Sequence, residues 1–412
     1  MPFDAVNGLR IARRAETLEG TVTAGQTFSL LAGPHRGMLS GPGNEASLRS
    51  SSPQSGEVPG LLDFPEAQFF LGELDLRSIP FGRAARMIAR GTWSFCTDRP
   101  LVVSFELTHS CVANCRHCDK GGIKPDPPGL LRAADYRRLR GTLKPMAVQL
   151  SGGEPLLRKD IADIVRAVKE PSGLPYTILV TNGRLLTEEK YLTLRGLGVN
   201  QFSISLDFPD ERHDDFRRSP GLYAHLAKLV PALSRQGHDD VALNTAITRE
   251  NLAALRGIYE RAKEWGVSIS YSAYTPLRTR SMEHYISSME DLDFLRKTLD
   301  ELIALKAKNG RIANSPWTLS GIHDFFLHGT VPGCQAGRRF LVVTPDGGLR
   351  PCSMFDETYA SQGEILKKFV ATNQCGGCYV SIRSYLDASF WTLLKDNVAS
   401  RVLSRNGRGN SC

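Results

Sequence analysis

The sequence predicts an α/β fold with a mainly parallel sheet, and three observations support this fold class. Apolar strand-like segments alternate with helical segments between residues 100 and 310, the connections are short, and the alternation repeats six times. Six strand–helix units are too few for a closed eight-stranded barrel. The predicted strands span residues 101–107, 147–150, 176–180, 201–206, 241–247 and 267–274. The predicted helices span residues 131–143, 160–169, 187–197, 221–236, 252–265 and 291–308.

The remaining segments predict the domain organisation of the chain, whose 412 residues are enough for two domains. Residues 1–60 include a stretch rich in Gly, Ser, Pro and Thr, which predicts a disordered or poorly ordered extension. Residues 61–98 contain a basic amphipathic stretch, interpreted as a helix packed on the core or, alternatively, lying on a membrane surface. The core is predicted at 99–310, a smaller domain at 311–395 and a tail at 396–412.

Composition and charge narrow the class of protein. The chain has 51 Lys and Arg against 43 Asp and Glu, a net charge of +8, which favours anionic partners only weakly. Without a basic stripe interleaved with aromatic residues, we expect no nucleic-acid partner. No apolar run approaches the ~18 residues of a membrane span, and the first residues lack the apolar core of a signal peptide. We therefore expect a cytoplasmic protein, in a reducing compartment that keeps thiols free to bind metal.

Three cysteines crowd the loop after the first predicted strand. Cys111, Cys115 and Cys118 have the spacing C-x3-C-x2-C, without a fourth cysteine nearby. A four-iron cluster normally takes one thiolate per iron, so three thiolates would leave one iron open to a small ligand. A zinc site completed by His117 or His109, or a set of unligated thiols, are the alternatives.

Polar motifs follow the next strands at the carboxyl ends, where parallel α/β proteins bind ligands. Gly152, Gly153 and Glu154 follow the second strand, and the two glycines would let the backbone approach a ligand closely. Asn182 follows the third strand in an Asn-Gly turn. Ser205 lies near the end of the fourth strand, and Arg217 follows as a candidate partner for a carboxylate.

A second group of cysteines lies near the carboxyl terminus. Its members are Cys334, Cys352, Cys375 and Cys378. Four thiols suit a fully ligated metal site, and their number alone does not separate zinc from an iron–sulfur cluster. The pair Asp346-Gly347 predicts a hairpin turn between residues 340–343 and 349, which would bring the first two of these cysteines together.

Two cysteines remain outside these groups. We interpret Cys96, just before the first strand, as a core thiol, and Cys412 as a ligand only if the tail folds back.

The first triplet, followed by Gly-Gly-Glu and by Ser-Leu-Asp with a later His-Asp-x-x-Arg, resembles the radical S-adenosylmethionine (SAM) superfamily. The resemblance implies a partial (β/α)6 TIM-like barrel and a [4Fe-4S] cluster that binds SAM and cleaves it reductively. The resulting 5′-deoxyadenosyl radical would abstract hydrogen from an unactivated carbon.

The same resemblance implies roles for the motif residues. Gly152, Gly153 and Glu154 would hold the amino group of SAM, and Asn182 would also lie at the cofactor. Ser205 would contact the ribose and Arg217 the carboxylate, while His117 takes the position of an aromatic residue near the adenine. Phe208 departs from the family pattern, in which glycine is usual.

The carboxyl-terminal cysteines, with their Gly347 and Cys352 spacing, resemble the twitch and SPASM extensions of this superfamily. That implies a second, auxiliary [4Fe-4S] cluster, which favours net oxidation such as dehydrogenation or crosslinking. The expected partners are a small-molecule, peptide or lipid substrate and a reducing electron donor such as flavodoxin or ferredoxin. The sequence assigns no catalytic acid or base, and Tyr271, Tyr274 and His284 are as consistent with packing as with a pocket.

Two alternatives stay open at this point. One is radical modification of a lipid at a membrane surface, with residues 61–98 making peripheral membrane contact. The other is a non-catalytic structural or sensor protein that holds zinc or iron–sulfur groups.

Overall fold

The computed structural model describes residues 81–308 and 310–387. The predicted extension 1–60, the first part of 61–98 and the tail 396–412 with Cys412 lie outside the described residues, and the domain boundaries stay predictions. The first half of the described chain contains helix α1 (Phe81–Cys96), β1 (Val102–Glu106), α2 (Ala133–Leu143), β2 (Ala147–Ser151), α3 (Ile161–Val168), β3 (Tyr176–Thr181), α4 (Glu188–Leu197), β4 (Gln201–Ser205), α5 (Arg212–Arg217) and α6 (Leu222–Arg235). The second half contains β5 (Val241–Ile247), α7 (Leu255–Glu264), β6 (Ser268–Ala273), α8 (Met289–Ala307), α9 (Pro316–His328), β7 (Phe340–Val343), β8 (Leu349–Arg350), α10 (Gln362–Lys368) and α11 (Ser381–Leu386).

The strands form a single sheet in the order β6-β5-β4-β3-β2-β1-β7-β8. The first six strands lie side by side in chain order, and all their pairs are parallel. Helical connections on one face of such a sheet are the arrangement of a (β/α) barrel. The predicted α/β class and the partial barrel of six units are therefore confirmed.

The helices begin where side-chain caps allow them to. The Thr187 side chain accepts a hydrogen bond from the backbone N–H of Lys190, and Ser288 accepts one from Asp291. These caps satisfy backbone donors that the first helical turn leaves free. Because Ser288 is the cap, α8 starts two residues earlier than the predicted 291.

Helix α1 closes the amino-terminal end of the barrel. Its apolar residues Ala84 and Met87 are buried against Met146, Leu174 and Tyr176, which lie at the starts of β2 and β3. This packing agrees with the packed-helix interpretation for residues 81–96, while Trp93 on the same helix is exposed, and the membrane-surface alternative stays a prediction. Among the described residues, no helix is both long enough and apolar enough to cross a membrane.

The end of α1 corrects one prediction. Cys96 is exposed and is not a core thiol, because the helix ends at this residue beside the turn that leads into β1. The helical periodicity turns Ala84 and Met87 toward the barrel and leaves Cys96 facing the solvent.

The hairpin predicted around Asp346-Gly347 is also confirmed. Val343 pairs with Leu349 in antiparallel fashion, and Gly347 has the positive φ of 92° that the turn requires. The sequence did not predict that β7 would pair in parallel with β1 and so extend the barrel sheet. The two strands lie far apart in the chain, so local sequence patterns do not predict their pairing.

Candidate active site

Polar side chains line much of the concave face of the sheet, with apolar ones such as Ile178, Val180 and Val342 among them. Val103 and Phe105 of β1 pack with the helices, so the alternating Ser104 and Glu106 face the other way, and the Oγ atoms of Ser104 and Ser151 lie 2.9 Å apart. The strand register then places these polar residues on the same face: Ser104, Glu106, Gln149, Ser151, Ser203, Ser205, Asn244, Ser270, Ser272 and Arg350. A barrel interior of this composition suits a ligand rich in hydrogen-bonding groups.

Three polar atoms on that face lack hydrogen-bond partners although they are buried. They are Glu106 Oε2, Ser270 Oγ and Arg350 Nε. The Glu106 carboxylate is 3.6 Å from the ammonium of Lys120, and Lys120 Nζ is 3.4 Å from His109 Nδ1. Because unpaired buried polar atoms are costly, these atoms mark places where a bound molecule would complete the hydrogen bonding.

The first cysteine loop lies at the carboxyl end of β1, and N–H groups point at its sulfurs. Cys111 Sγ accepts from Asn182 Nδ2 at 3.5 Å, and Cys115 Sγ accepts from Arg217 Nη1 at 3.7 Å. The backbone N–H of Lys120 donates to Cys118 Sγ at 3.4 Å. Donors and positive charge favour thiolates, which are the form that binds metal.

The three thiols differ in their exposure. Cys111 and Cys115 are buried, whereas Cys118 is exposed, and all three are free thiols. Burial raises the pKa of Cys111. Desolvation by the surrounding protein also raises the pKa of Cys118, even though its side chain reaches the solvent, so metal binding must supply the free energy that deprotonates both thiols.

The Gly-Gly-Glu motif packs directly against this loop. A Cβ on Gly152 would lie 2.5 Å from the Thr108 carbonyl oxygen, and one on Gly153 would lie 2.1 Å from that of Ser110. The Gly153 N–H donates to the Thr108 carbonyl at 2.8 Å. The structure therefore requires both glycines for contact between two loops, whereas the sequence suggested only close approach to a ligand.

Glu154 joins the exits of β2 and β3. The carboxylate is fully buried and accepts from Thr181 Oγ1 at 2.8 Å, from the Asn182 N–H at 2.9 Å and from the Leu156 N–H at 3.0 Å. Burial raises the pKa of Glu154, although these donors oppose the shift. Since Asn182 also contacts Cys111, the carboxylate orients a residue that touches the first cysteine.

Arg217 is held beside the second cysteine by an internal ion pair. Its Nε donates to Asp207 Oδ2 at 2.6 Å, and Asp207 Oδ1 accepts from the Ala246 N–H at 3.1 Å. Burial opposes ionisation of Asp207, but Arg217 and the nearby histidines outweigh it, and the pKa of Asp207 is lowered. The guanidinium is thus fixed with one edge directed at Cys115.

His117 and Ser205, which the sequence also selected, lie at the same end of the sheet. His117 stacks on Phe216 with ring centroids 4.7 Å apart, and burial lowers its pKa to about 4, so the ring is neutral near neutral pH. Its Nδ1 is buried without a hydrogen-bond partner. Ser205 ends β4 and is half-buried. The contacts of these residues with SAM stay predictions.

The residues named near the exit of β6 divide into two kinds. Tyr271 is a core residue whose hydroxyl donates to the Leu255 carbonyl at 3.0 Å. His284 is buried, contacts the Glu250 carboxylate through Nδ1 and lies 3.0 Å from the Arg116 carbonyl through Nε2. His284 thus supports the cysteine loop, a role without any signal in the sequence.

The structure brings the four carboxyl-terminal cysteines together. Burial raises the pKa of Cys352 well above its ordinary value, and the thiols of Cys378, Cys334 and Cys375 add to the effect. Arg383, fully buried, donates to the Cys378 carbonyl and lies 3.9 Å from Cys378 Sγ. No motif in the sequence marks Arg383 as a functional residue.

These donors fit iron–sulfur clusters. Within residues 81–308 and 310–387, no three His, Cys, Asp or Glu side chains converge as ligands of one metal ion. A four-iron cluster makes a different demand, because each thiolate binds a separate iron. Three thiols with N–H donors at one site and four mutually interacting thiols at the other meet that demand.

Comparisons with known proteins agree with the site. Residues 105–262 match the family model described as Radical SAM superfamily. The AdoMet-dependent heme synthase of Methanosarcina barkeri is 31% identical over 275 residues, covering 62% of this chain and 77% of that protein. The PqqA peptide cyclase of Gluconobacter oxydans is 28% identical, covering 61% and 70%. The mycofactocin maturase MftC of Mycolicibacterium smegmatis is 26% identical, covering 71% of each.

Solved structures show the same fold. The crystal structure of Streptococcus suis SuiB bound to its precursor peptide SuiA superposes with a TM-score of 0.51 at 16% identity, covering 67% of this chain and 65% of that one. At this identity the likeness concerns the fold alone.

Proposed function

The chain belongs to the radical SAM superfamily, whose members use a [4Fe-4S] cluster and SAM, and we propose that it is an enzyme that oxidises a polar, peptide-like substrate. Cys111, Cys115 and Cys118 would hold the SAM-binding cluster. When bound, the cluster supplies the electron that cleaves SAM to methionine and a 5′-deoxyadenosyl radical. An external donor such as flavodoxin or ferredoxin would supply that electron.

In this proposal the motif residues bind and orient SAM. Glu154 carries a buried carboxylate, and the backbone around Gly153 brings it next to the cysteine loop. Arg217 is preorganised by Asp207, so its remaining N–H groups are aimed without further ordering. Ser205 would bind the ribose, and the neutral ring of His117 would lie near the adenine.

The polar concave face is the observation that carries the substrate class. The hydrocarbon chain of a lipid has no hydrogen-bonding groups, so it would leave the buried Ser270 and Arg350 atoms without a partner, at a cost for each of about 1–3 kcal/mol. A peptide offers amide N–H and C=O groups along its whole length and can pair with these atoms and the neighbouring serines. Glu106 would accept from a substrate N–H, and Arg350 would donate to a carbonyl or carboxylate.

One relative, the PqqA peptide cyclase, acts on a peptide by its name, and SuiB is solved with a precursor peptide. Both names support a peptide-like substrate for this chain, whereas another relative is named heme synthase. The repeating amide groups of a peptide match the row of polar side chains on the concave face, and this match is the reason for choosing the peptide.

We assign the auxiliary cluster to Cys334, Cys352, Cys375 and Cys378. Four thiolates satisfy all four irons, so this site would exchange electrons and would not bind substrate. A cluster that can accept an electron favours net oxidation, by dehydrogenation or crosslinking.

The first test is anaerobic reconstitution of the full chain, followed by iron and sulfide counts and dithionite reduction with SAM. We expect about eight irons per chain and 5′-deoxyadenosine that disappears in Cys115→Ala. If the protein instead binds zinc and does not cleave SAM, the enzyme proposal is wrong, and the structural or sensor alternative is supported.

The second test concerns substrate class. The reduced enzyme is mixed with the water-soluble peptide fraction of a bacterial lysate, the same fraction after protease digestion, or a chloroform–methanol lipid extract. We expect the intact peptide fraction alone to stimulate 5′-deoxyadenosine formation. Stimulation by the lipid extract alone would contradict a peptide-like substrate.

A further inference from the structure

The segment 275–285, which leaves β6 and is called here the β6 exit loop, contacts the first cysteine loop. Arg278 donates through Nε and Nη2 to Asp119 Oδ2, at 2.9 and 2.5 Å. Asp119 directly follows Cys118. At the other end of the exit loop, His284 Nε2 lies 3.0 Å from the Arg116 carbonyl oxygen, which directly follows Cys115. The exit loop thus holds the first cysteine loop at two points.

The same exit loop also contacts the second cysteine group. Arg278 Nη1 donates to the carbonyl of Ser353, the residue after Cys352, at 2.6 Å. The Thr275 hydroxyl donates to the Gly377 carbonyl at 2.9 Å, between the last two cysteines. A Cβ on Gly377 would lie only 3.3 Å from Leu277 Cδ1, so that side chain packs directly against the Cys-Gly-Gly-Cys turn.

Arg278 is the side chain that reaches both groups. Its guanidinium is 19% exposed and also lies 3.3 Å from Asp356, on the chain that follows Cys352. A guanidinium is a rigid planar fork whose two edges can serve acceptors in different directions, which the single ammonium of lysine does not reproduce. The hydrogen bonds to Asp119 are charge-assisted and therefore among the stronger ones in proteins.

We propose that Arg278 is a positioning residue that couples the two cysteine loops, fixing their separation and placing one positive charge between the two clusters. The proposal rests on the assignment of a cluster to each cysteine group. Electron transfer between clusters depends on their separation, and cluster potentials depend on nearby charge. One guanidinium would therefore act on both sites at once.

The test compares Arg278→Met, Arg278→Lys and Arg256→Met with the unmodified chain, all reconstituted anaerobically. Arg256 is a matched control because it also pairs with two carboxylates, Glu260 and Glu301, but on the outer surface of α7. Amide hydrogen exchange is followed in peptides covering residues 111–124 and 352–356. Midpoint potentials are measured by redox titration monitored by electron paramagnetic resonance, with iron counts on every sample.

We expect Arg278→Met to speed exchange about tenfold in both peptides, because both loops lose the same anchor. It should also lower the midpoint potential of both clusters, since a positive charge is removed. Arg278→Lys should leave both midpoint potentials close to those of the unmodified chain, because the charge is kept. Amide exchange should still be faster than in the unmodified chain, because the planar fork is lost. Arg256→Met should change neither readout.

Exchange that stays slow in both peptides of Arg278→Met, or that rises in one alone, would overturn the coupling. A count of about four irons in the unmodified chain would contradict the auxiliary cluster, yet hydrogen exchange would still decide whether Arg278 couples the loops. If Arg278→Met does not fold, the lysine variant decides: slow exchange equal to that of the unmodified chain overturns the proposal.

Discussion

The two cysteine groups are built in opposite ways. The first takes three thiols from one stretch of eight residues and leaves Cys118 exposed. The second gathers four thiols from a segment more than forty residues long, places Arg383 among them, and buries Cys378. A site with three ligands on one loop keeps an iron accessible, whereas a site closed by four ligands does not. Under the proposed function, this difference would give bond-breaking chemistry to the first group and electron exchange to the second.

Removing one thiol from each group is the most direct test of whether the two groups have separate roles. We expect Cys115→Ala to abolish 5′-deoxyadenosine formation and to remove about half the iron, since that thiol is one of only three. Cys378→Ala should remove a similar amount of iron but leave SAM cleavage measurable, with loss of oxidised product. Iron counts and 5′-deoxyadenosine assays on both variants decide. Equal loss of SAM cleavage in the two would show that the groups do not have separate roles.

A second prediction concerns the carboxylate that organises the first group. Glu154→Gln replaces one carboxylate oxygen with an amide nitrogen, which then faces either the Asn182 N–H or the donors from Thr181 and Leu156, so one buried contact becomes donor against donor. For a mismatch of about 1–3 kcal/mol, we expect SAM cleavage to fall about 5- to 150-fold. The iron of the carboxyl-terminal group should be unaffected.

The control for that variant is Glu260→Gln, on the exposed surface of α7. A loss of iron from both groups in Glu154→Gln would show a general folding defect and not a local effect on the first group.

The sequence predicted the first group better than the second, and the reason is physical. Cys111 and Glu154 lie in short motifs that directly follow strands, and Arg217 ends the short helix after β4, so strand order brings all three to one edge of the sheet. The six strands were predictable for the same reason, because their apolar runs are local.

The rest depends on tertiary pairing. The parallel pairing of β7 with β1, the bridge of Arg278 from Asp119 to Ser353 and the seating of Arg383 at Cys378 join residues far apart in the chain. No periodicity or motif marks such residues. The prediction that Cys96 is a core thiol was wrong for a related reason. Whether a residue at a helix end is buried depends on which distant segment packs over it.

Arg383 is the charged side chain that lies beside the second group. Its guanidinium is fully buried, pairs with Asp387 at 2.8 Å and lies beside the Cys378 sulfur. Arg383→Lys should keep the charge but lose part of the hydrogen bonding, so we expect a lower midpoint potential for the auxiliary cluster alone. Redox titration of both clusters checks this, and an equal shift in the SAM-binding cluster would contradict a local role.

The smallest expected effect tests whether the barrel scaffold is independent of both groups. Lys169, at the amino-terminal end of the strands, donates to the Pro175 carbonyl at 2.8 Å and to Asn200 Oδ1 at 2.7 Å. Burial, with a smaller contribution from Arg83, lowers its pKa to about 6 from an ordinary 10.5. Between these values the unfolded chain binds a proton that the folded chain does not, so stability rises with pH from about 6 upward.

Lys169→Met should remove this contribution. For one full proton the slope is at most about 1.4 kcal/mol per pH unit, and the variant should show a flatter dependence of unfolding free energy on pH across that window. Denaturant unfolding at several pH values measures the slope, and the cluster spectra should match those of the unmodified chain. Altered spectra would mean that the closed end of the barrel is coupled to the cysteine groups, and the two could then no longer be treated as sites on a passive scaffold.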